Sequence, residues 1–260
     1  MKKIFFALSL LSVFSLSYKR EDISVFSKSL NKSVNVTVVI PSTYSKNTMY
    51  PSIYALHGYS GNNTNFILKT PIGELSDKYD VIFICPDGGY DSWYIKYNDF
   101  ISHELVNAIE NRFSVYSKKE MRAITGLSMG GFGALYLGIQ NQNIFGNIGS
   151  MSGGVDLEHY KFNWNILKNV DKNWNNFNIA AISHKLIGTK SNIVFDCGYN
   201  DFFITPNREL HKKLLELNIS HMYSERKGEH NWTYWSDSIR YQTAFFVNMF
   251  NKGSDNKWKN

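Results

Sequence analysis

The pentapeptide Gly126-Leu127-Ser128-Met129-Gly130 constrains the fold of this chain more than any other stretch. A short apolar run that ends at Thr125 precedes it, and apolar residues with helical spacing follow from Leu135 to Ile139. Glycines two positions before and after a serine are typical of a nucleophile elbow, in which a strand turns into a helix so tightly that larger side chains would collide. The pattern predicts a strand, a sharp turn and a helix, with the Ser128 hydroxyl presented as a nucleophile.

Other glycine-rich signatures do not fit this stretch. A dinucleotide-binding fingerprint needs Gly-x-Gly-x-x-Gly, and a phosphate-binding loop needs Gly-Lys-Ser/Thr at its end. Neither pattern is present around Ser128. The alternative is a glycine-rich packing turn that carries an ordinary serine. Glycine costs about 0.5–1 kcal/mol relative to alanine inside a helix or strand, so several glycines together need a compensating reason.

The first 17 residues have the pattern of a secretory signal. Met1-Lys2-Lys3 is followed by an apolar core from Ile4 to Ser17, which is too short for a comfortable membrane span. We therefore predict a signal peptide at residues 1–17, a secreted or periplasmic location and no stable membrane anchor after its removal. The alternative is an N-terminal anchor or a buried helix.

The rest of the chain, residues 18–260, is expected to form a single α/β domain. Removal of residues 1–17 takes away Lys2 and Lys3 and no acidic residue, so the formal charge falls from +6 to +4. The basic residues are scattered apart from a small cluster near the C-terminus, and no stripe that would follow a phosphate backbone is present. Nucleic acid is therefore not an expected partner.

Apolar runs separated by helical patterns predict a mostly parallel central sheet with helices on both faces. An antiparallel hairpin, Ile23–Leu30 with Ser33–Ile40, is expected to precede that sheet. The further predicted strands are Pro51–Leu56, Asp80–Cys85, Met121–Thr125, Asn147–Met151, Asn192–Cys197 and His221–Glu225, and the further helices are Phe100–Phe113, Asn207–Leu217 and Tyr234–Phe250. Residues 155–190 show no clean period and are interpreted as an insertion or a lid.

The two cysteines, Cys85 and Cys197, each end a predicted strand. In the inferred strand order these two strands are not neighbours, so a disulfide would have to span too great a distance. Two buried free thiols are expected.

A serine hydroxyl is a weak nucleophile at neutral pH and needs a base, which a carboxylate must orient. Among the histidines after Ser128, His230 follows the last predicted strand beside Gly228, which suits a base at the sheet edge. Two carboxylates, Asp196 and Asp201, follow or end the preceding strand. Asp201 is favoured because it lies beyond Gly198 on a loop that can bend toward His230, and Asp196 is expected to organise the loop.

The oxyanion that forms during acyl transfer needs preorganised hydrogen-bond donors. The Met129 amide, which follows the nucleophile, is one candidate. The second is the Tyr59 amide, on the polar loop that follows the strand ending at Leu56. His57 is expected to shape this loop rather than to ionise in catalysis.

With these pieces in place, the chain resembles the esterase D type of α/β-hydrolases, which includes carbohydrate esterase family 1, S-formylglutathione hydrolases and mycolyltransferases. The matching pieces are Leu56-His57-Gly58, Gly126–Gly131, Cys197–Asp201 and Gly228–Trp232, spread from about residue 51 to 235. The resemblance implies an α/β-hydrolase fold, a Ser128, Asp201 and His230 triad and an oxyanion hole formed by the Tyr59 and Met129 amides. Asp87-Gly88 and Ser92-Trp93-Tyr94 also look like the feruloyl and acetyl esterases of the group.

The expected function is an exported serine esterase that hydrolyses short acyl or aryl acyl esters of carbohydrates through an acyl-enzyme intermediate. The expected substrate is a small-molecule or polysaccharide ester. Trp93, Tyr94 and Trp232 lie on loops at the pocket end of the sheet and are predicted to bind the alcohol side of the substrate, although ordinary loop packing is the alternative. No metal or cofactor is expected. A thioesterase acting on formylglutathione, an acyltransferase and a catalytically idle binding module are the alternative functions.

Overall fold

The computed structural model describes residues 17–164, 166–170 and 173–253. The predicted signal peptide, except for its last residue, lies outside the described residues. Among the described residues, no helix combines the length and the apolar character needed to cross a membrane.

A single eight-stranded sheet forms the centre of the described structure. Its strands are β1 (Lys19–Ser27), β2 (Lys32–Ile40), β3 (Ser52–Leu56), β4 (Ile82–Pro86), β5 (Arg122–Gly126), β6 (Asn147–Met151), β7 (Asn192–Gly198) and β8 (Met222–Arg226). The strand order is β1-β2-β4-β3-β5-β6-β7-β8. Strand β2 is antiparallel to β1 and to β4, and all pairs from β4 to β8 are parallel. Strand β5, which leads into Ser128, therefore lies in the interior of the sheet.

Within the described ranges, seven α-helices accompany the sheet. They are α1 (Asn65–Lys69), α2 (Ile72–Tyr79), α3 (Leu105–Arg112), α4 (Met129–Gln140), α5 (Ile179–Ile182), α6 (Ile204–Glu216) and α7 (Trp232–Gly253). One turn of π-helix, Phe100–Glu104, runs directly into α3.

Successive side chains of each buried strand enter different cores. In β3, Tyr54 and Leu56 belong to the core that holds α3, α4 and α6, whereas Ile53 and Ala55 belong to the core that holds α1, α2 and α7. This alternation follows from the two-residue period of a strand. The predicted α/β-hydrolase architecture, with a mostly parallel sheet covered on both faces and an N-terminal antiparallel hairpin, is confirmed.

Several element boundaries differ from the predicted ones. Strand β1 begins at Lys19 rather than Ile23, because the polar residues Lys19–Asp22 pair with β2 at the exposed edge of the sheet, where an apolar pattern is not required. Residues 28–31 form the turn, and Asn31 has a positive φ of 50°. Helices α1 and α2 were not predicted from the sequence.

The two cysteines lie on β4 and β7, which are separated by three other strands. Both are free and buried, as predicted. Burial raises the pKa of both thiols far above the usual range, so they remain protonated and act as small apolar side chains.

The described parts of residues 155–190 pack onto the α4 side of the sheet rather than forming a separate layer. Ile166, Ile179 and Leu186 are buried there. The Asn169 side-chain amide also donates a hydrogen bond of 2.7 Å to the backbone oxygen of Asp91, which ties this segment to the loop after β4. Its role as a lid stays a prediction.

Candidate active site

The backbone of Ser128 is in a sparsely populated conformation, with φ 54° and ψ −117°. Glycines permit this turn because the chain approaches itself closely. A Cβ atom at Gly126 would lie 2.3 Å from the Gly130 carbonyl oxygen, and one at Gly130 would lie 2.0 Å from the Leu56 carbonyl oxygen. The turn places Ser128 directly before α4, at the carboxyl end of β5.

Ser128, His230 and Asp201 form a continuous hydrogen-bonded chain. The His230 Nε2 atom lies 2.8 Å from Ser128 Oγ, and His230 Nδ1 lies 2.8 Å from Asp201 Oδ2. A carboxylate accepts hydrogen bonds, so Nδ1 carries a proton and donates it, which leaves the Nε2 lone pair facing the serine hydroxyl. This arrangement allows Nε2 to take the proton from Ser128 Oγ.

Asp201 is held in place by burial and by its own loop. It is 2% exposed, and its Oδ1 atom accepts a hydrogen bond of 2.8 Å from the Phe203 amide. Its loop follows β7 and the loop that carries His230 follows β8, so both approach Ser128 from the same edge of the sheet.

Asp196, the other candidate carboxylate, points into a different network. Its oxygens accept hydrogen bonds from Gln242 at 2.8 Å, from Ser238 and from Arg226 at 3.3 Å. Burial raises the pKa of Asp196 above its usual value, and the nearby Arg226 guanidinium opposes that rise. Asp196 therefore ties β7 to α7 and β8, while Asp201 is the carboxylate that contacts His230.

Two backbone amides stand beside the serine. Met129 is the first residue of α4, and a Cβ atom at Gly58, next to Tyr59, would lie 3.4 Å from the Ser128 Cβ atom. Among the hydrogen bonds of the described residues, none uses the amide of Tyr59 or that of Met129. Both donors are therefore available to an oxygen bound near Ser128 Oγ.

His57 connects the loop after β3 to the loop after β4. Its Nε2 atom accepts a hydrogen bond of 2.8 Å from the Gly88 amide, so the Nδ1 atom carries the proton and donates to the Gly58 carbonyl oxygen at 2.8 Å. With 1% of its surface exposed, His57 supports the loop that carries Tyr59.

A cavity of about 430 Å³ opens above Ser128. Its walls combine aromatic rings with polar side chains. The lining residues are Gly58, Tyr59, Ser60, Gly61, Asn65, Lys69, Trp93, Leu127, Ser128, Trp164, Phe202, Phe203, His230, Asn231, Trp232 and Trp235. This size and composition are ordinary for a small-molecule site.

The three aromatic residues predicted to bind substrate occupy different positions. Trp232 is half-buried and lines the cavity. Trp93 also lines it, but its ring is only 1% exposed and packs on Phe132 and Trp164, so it forms part of a buried wall rather than an open stacking surface.

Tyr94, the third of these residues, is buried and does not line the cavity. Its hydroxyl donates a hydrogen bond of 3.1 Å to the His57 carbonyl oxygen, and its ring packs against Gly133 of α4, outside the cavity lining. Trp93 and Tyr94 both have positive φ, 52° and 58°. This consecutive left-handed turn brings the ring of Trp93, but not that of Tyr94, to the cavity.

Sequence reasoning missed several lining residues. Phe202 and Phe203 directly follow Asp201, and their rings lie 4.3 and 5.2 Å from the His230 ring. Their position beside the predicted acid was a usable signal. Trp164 and Lys69 had no such signal, because each reaches the cavity only through tertiary packing.

Among the described residues, no group of three or more His, Cys, Asp or Glu side chains could hold a metal ion.

This sheet, with a serine elbow inside it and a hydrogen-bonded histidine and carboxylate on later loops, defines an α/β-hydrolase of the serine hydrolase class. Residues 27–246 match the family described as "Putative esterase", and the chain belongs to that esterase family.

Individual relatives agree with this assignment. An acetyl esterase from Caldicellulosiruptor saccharolyticus is 28% identical over 250 residues, which cover 84% of this chain and 94% of the relative. The serine hydrolase FphF from Staphylococcus aureus has the same fold, with a TM-score of 0.80, 20% identity and coverage of 89% of this chain and 99% of FphF. A ferulic acid esterase superposes with a TM-score of 0.78, 22% identity and coverage of 90% and 99%.

Proposed function

We propose that this protein is an exported serine esterase that hydrolyses short acyl or aryl acyl esters of carbohydrates through an acyl-enzyme intermediate on Ser128. The observation that carries the proposal is the hydrogen-bonded chain from Ser128 Oγ through His230 to Asp201, with both distances at 2.8 Å. A binding module would need neither this chain nor a serine in a strained backbone conformation.

In the acylation step, Ser128 Oγ attacks the ester carbonyl carbon while His230 Nε2 takes the hydroxyl proton. The carbonyl oxygen becomes an oxyanion, and the Tyr59 and Met129 amides donate hydrogen bonds to it. When the tetrahedral intermediate collapses, the bond to the alcohol oxygen breaks and His230 gives its proton to that oxygen. Asp201 stabilises the imidazolium that exists between these proton transfers.

In the deacylation step, water replaces the alcohol. His230 takes a proton from the water as its oxygen attacks the acyl carbon, and then returns a proton to Ser128 Oγ as the carboxylic acid leaves. Ser128, His230 and Asp201 return to their starting protonation states. The reaction consumes only the ester and one water molecule and needs no cofactor.

The size of the cavity supports a short or aryl acyl group. About 430 Å³, enclosed by aromatic rings such as Trp93 and Phe203, suits a small acyl group better than a long chain. The acetyl esterase and the ferulic acid esterase among the similar proteins are named for acyl groups of these two kinds. Export is proposed from the basic start and the short apolar core of residues 1–17.

The test is a substrate panel on the purified protein. The panel contains 4-nitrophenyl acetate, methyl ferulate, acetylated xylan and S-formylglutathione, and intact mass is recorded during turnover. We expect release of acetate or ferulate and an acyl adduct on Ser128. Hydrolysis of S-formylglutathione alone would assign a thioesterase, and transfer of the acyl group to an added sugar in preference to water would assign an acyltransferase. If the protein hydrolyses none of these substrates, the alternative function of a catalytically idle binding module is favoured.

A further inference from the structure

One wall of the cavity is built from α1 and from the residues that begin α7. It contributes Asn65, Lys69, Asn231 and Trp232 to the lining. Among the lining residues, all of which lie in the described part of the chain, Lys69 is the one Lys, Arg, Asp or Glu side chain. No carboxylate lines the cavity within the described part of the chain, so Lys69 sets the charge of this wall.

Aromatic packing holds the Lys69 side chain against the cavity. Its Nζ atom lies 4.9 Å from the centroid of the Trp232 ring, a distance at which the ring face attracts a cation. Trp232 in turn packs edge-to-face on Phe66 of α1 at 6.1 Å. The described residues give Lys69 no carboxylate partner, so its charge is available to a ligand.

Backbone hydrogen bonds fix the amide orientation of the two asparagines of this wall. Asn65 Oδ1 accepts a hydrogen bond of 3.0 Å from the Asn62 amide, and Asn231 Oδ1 accepts one of 3.1 Å from the Tyr234 amide. A backbone N–H can only donate, so these bonds fix which end of each side chain is oxygen. Neither side-chain NH₂ group donates a hydrogen bond among those of the described residues, so both can donate to a bound molecule.

Ring contacts connect this wall to His230. Trp232 packs on Trp235 at 5.3 Å, and Trp235 packs on the His230 ring at 4.9 Å. His230 Nε2 must protonate the alcohol oxygen when the ester bond breaks. For this reason a group held by Lys69, Asn65 and Asn231 is assigned to the alcohol part of the substrate.

We propose that this wall binds a carboxylate on the alcohol part of the substrate, so that the preferred esters are acylated acidic sugars such as uronic acids. One cation and two amide donors, with no competing acid, match the two acceptor oxygens of a carboxylate. This inference rests on the proposed esterase function and narrows its substrate class.

The test compares two matched esters, a mono-O-acetyl glucuronide and the corresponding mono-O-acetyl glucoside, which differ only by a carboxylate in place of CH₂OH. Acetate release gives kcat and KM for each. The wild-type enzyme should have a KM about tenfold lower for the acidic ester, and the difference should shrink as ionic strength rises. Lys69→Gln should raise KM about tenfold for the acidic ester and less than twofold for the neutral one, whereas Lys69→Arg should keep most of the preference.

Lys78→Gln is the matched control. Lys78 also lies over an aromatic ring, at 5.0 Å from the centroid of Tyr79, but it does not line the cavity. This substitution should leave both KM values unchanged.

Equal KM values for the two esters in the wild-type enzyme, or an equal rise for both in Lys69→Gln, would overturn this inference while the esterase function stands. If 4-nitrophenyl acetate and both sugar esters all remain intact, the esterase function itself fails, and this inference fails with it.

Discussion

His230 Nδ1 lies 2.8 Å from Asp201 Oδ2, and Asp201 is buried almost completely behind the histidine ring. The same carboxylate accepts the Phe203 amide on its other oxygen, so it cannot rotate without losing a hydrogen bond. This pair fixes the tautomer of His230 and thereby turns the Nε2 lone pair toward Ser128. The effect of a substitution at Asp201 should therefore appear in proton transfer.

Asp201→Asn should lower kcat about 10³- to 10⁴-fold, because an amide can donate to Nδ1 and would favour the tautomer with a proton on Nε2. The KM for 4-nitrophenyl acetate should change little, since Asp201 does not line the cavity. Steady-state kinetics and the rate of acyl-enzyme formation measure the effect.

Asp196→Asn is the matched comparison, because Asp196 lies in β7 and Asp201 lies on the loop that follows this strand. It should lower the free energy of unfolding by about 1–3 kcal/mol, because the new NH₂ group meets donors from Gln242, Ser238 or Arg226, and kcat should stay within about threefold of wild type. Thermal unfolding and kcat together separate the two residues. The reverse ranking of the two variants would assign the orienting role to Asp196.

Gly130→Ala should abolish activity and destabilise the fold by more than about 3 kcal/mol, since the added methyl group would lie 2.0 Å from the Leu56 carbonyl oxygen, a backbone atom that cannot move away. Gly138→Ala is the control within the same helix, because the atoms nearest its added methyl group, at 2.8 Å, belong to the Ile148 side chain rather than to the backbone. Tm and esterase activity are measured for both. Similar losses in the two variants would show that the elbow tolerates a side chain and that the glycine reflects helix packing.

Trp93→Leu should enlarge the cavity, and it tests whether the acyl group contacts the buried wall formed by Trp93, rather than the alcohol group that the sequence analysis predicted there. We expect the ratio of kcat/KM for 4-nitrophenyl butyrate over 4-nitrophenyl acetate to rise about tenfold, with a loss of stability of about 2–4 kcal/mol from the removed ring. Trp232→Leu, on the wall formed by α1 and the start of α7, is the control and should leave that ratio near its wild-type value. An unchanged ratio in Trp93→Leu would place the acyl group elsewhere in the cavity.

A pH-dependent contribution to stability is expected at Glu225 on β8. Hydrogen bonds of 2.7 and 2.9 Å from Arg208 hold the pKa of Glu225 below its usual value. Because the pKa of Glu225 is lower in the folded than in the unfolded state, ionised Glu225 stabilises the fold at pH values above the unfolded-state pKa. This contribution is lost as the pH falls through the folded-state pKa. Glu225→Gln should therefore lower the free energy of unfolding by about 0.5–1 kcal/mol at pH 7 and by nothing measurable near pH 3.

The exposed pair of Lys213 and Glu216, with a separation of 3.5 Å, supplies the control for that measurement. Glu216→Gln should leave the unfolding free energy unchanged at both pH values, because water screens this pair. Denaturant unfolding at the two pH values is the measurement. A loss for Glu225→Gln that persists near pH 3 would attribute its effect to packing rather than to charge.

Much of the sheet and the elbow could be predicted because their signals are local. The collision at Gly126 and Gly130 depends on backbone only a few residues away and on one neighbouring strand, so the pentapeptide around Ser128 carries it. The short apolar runs of the central strands similarly indicated where these strands lie, to within two residues at each end. Strand β1 was misplaced at its start because an edge strand can be polar on both faces.

The chain order of Ser128, Asp201 and His230 already determined that three loops at the carboxyl ends of strands would carry the chemistry, since parallel strands place those ends at one edge of the sheet. Tertiary packing decided the rest. Trp93 and Tyr94 are adjacent in sequence, but one lines the cavity and the other supports His57. The physical reason is that secondary structure follows from neighbours along the chain, whereas the direction and partners of a loop side chain depend on residues that are distant in sequence and become neighbours only when the sheet forms.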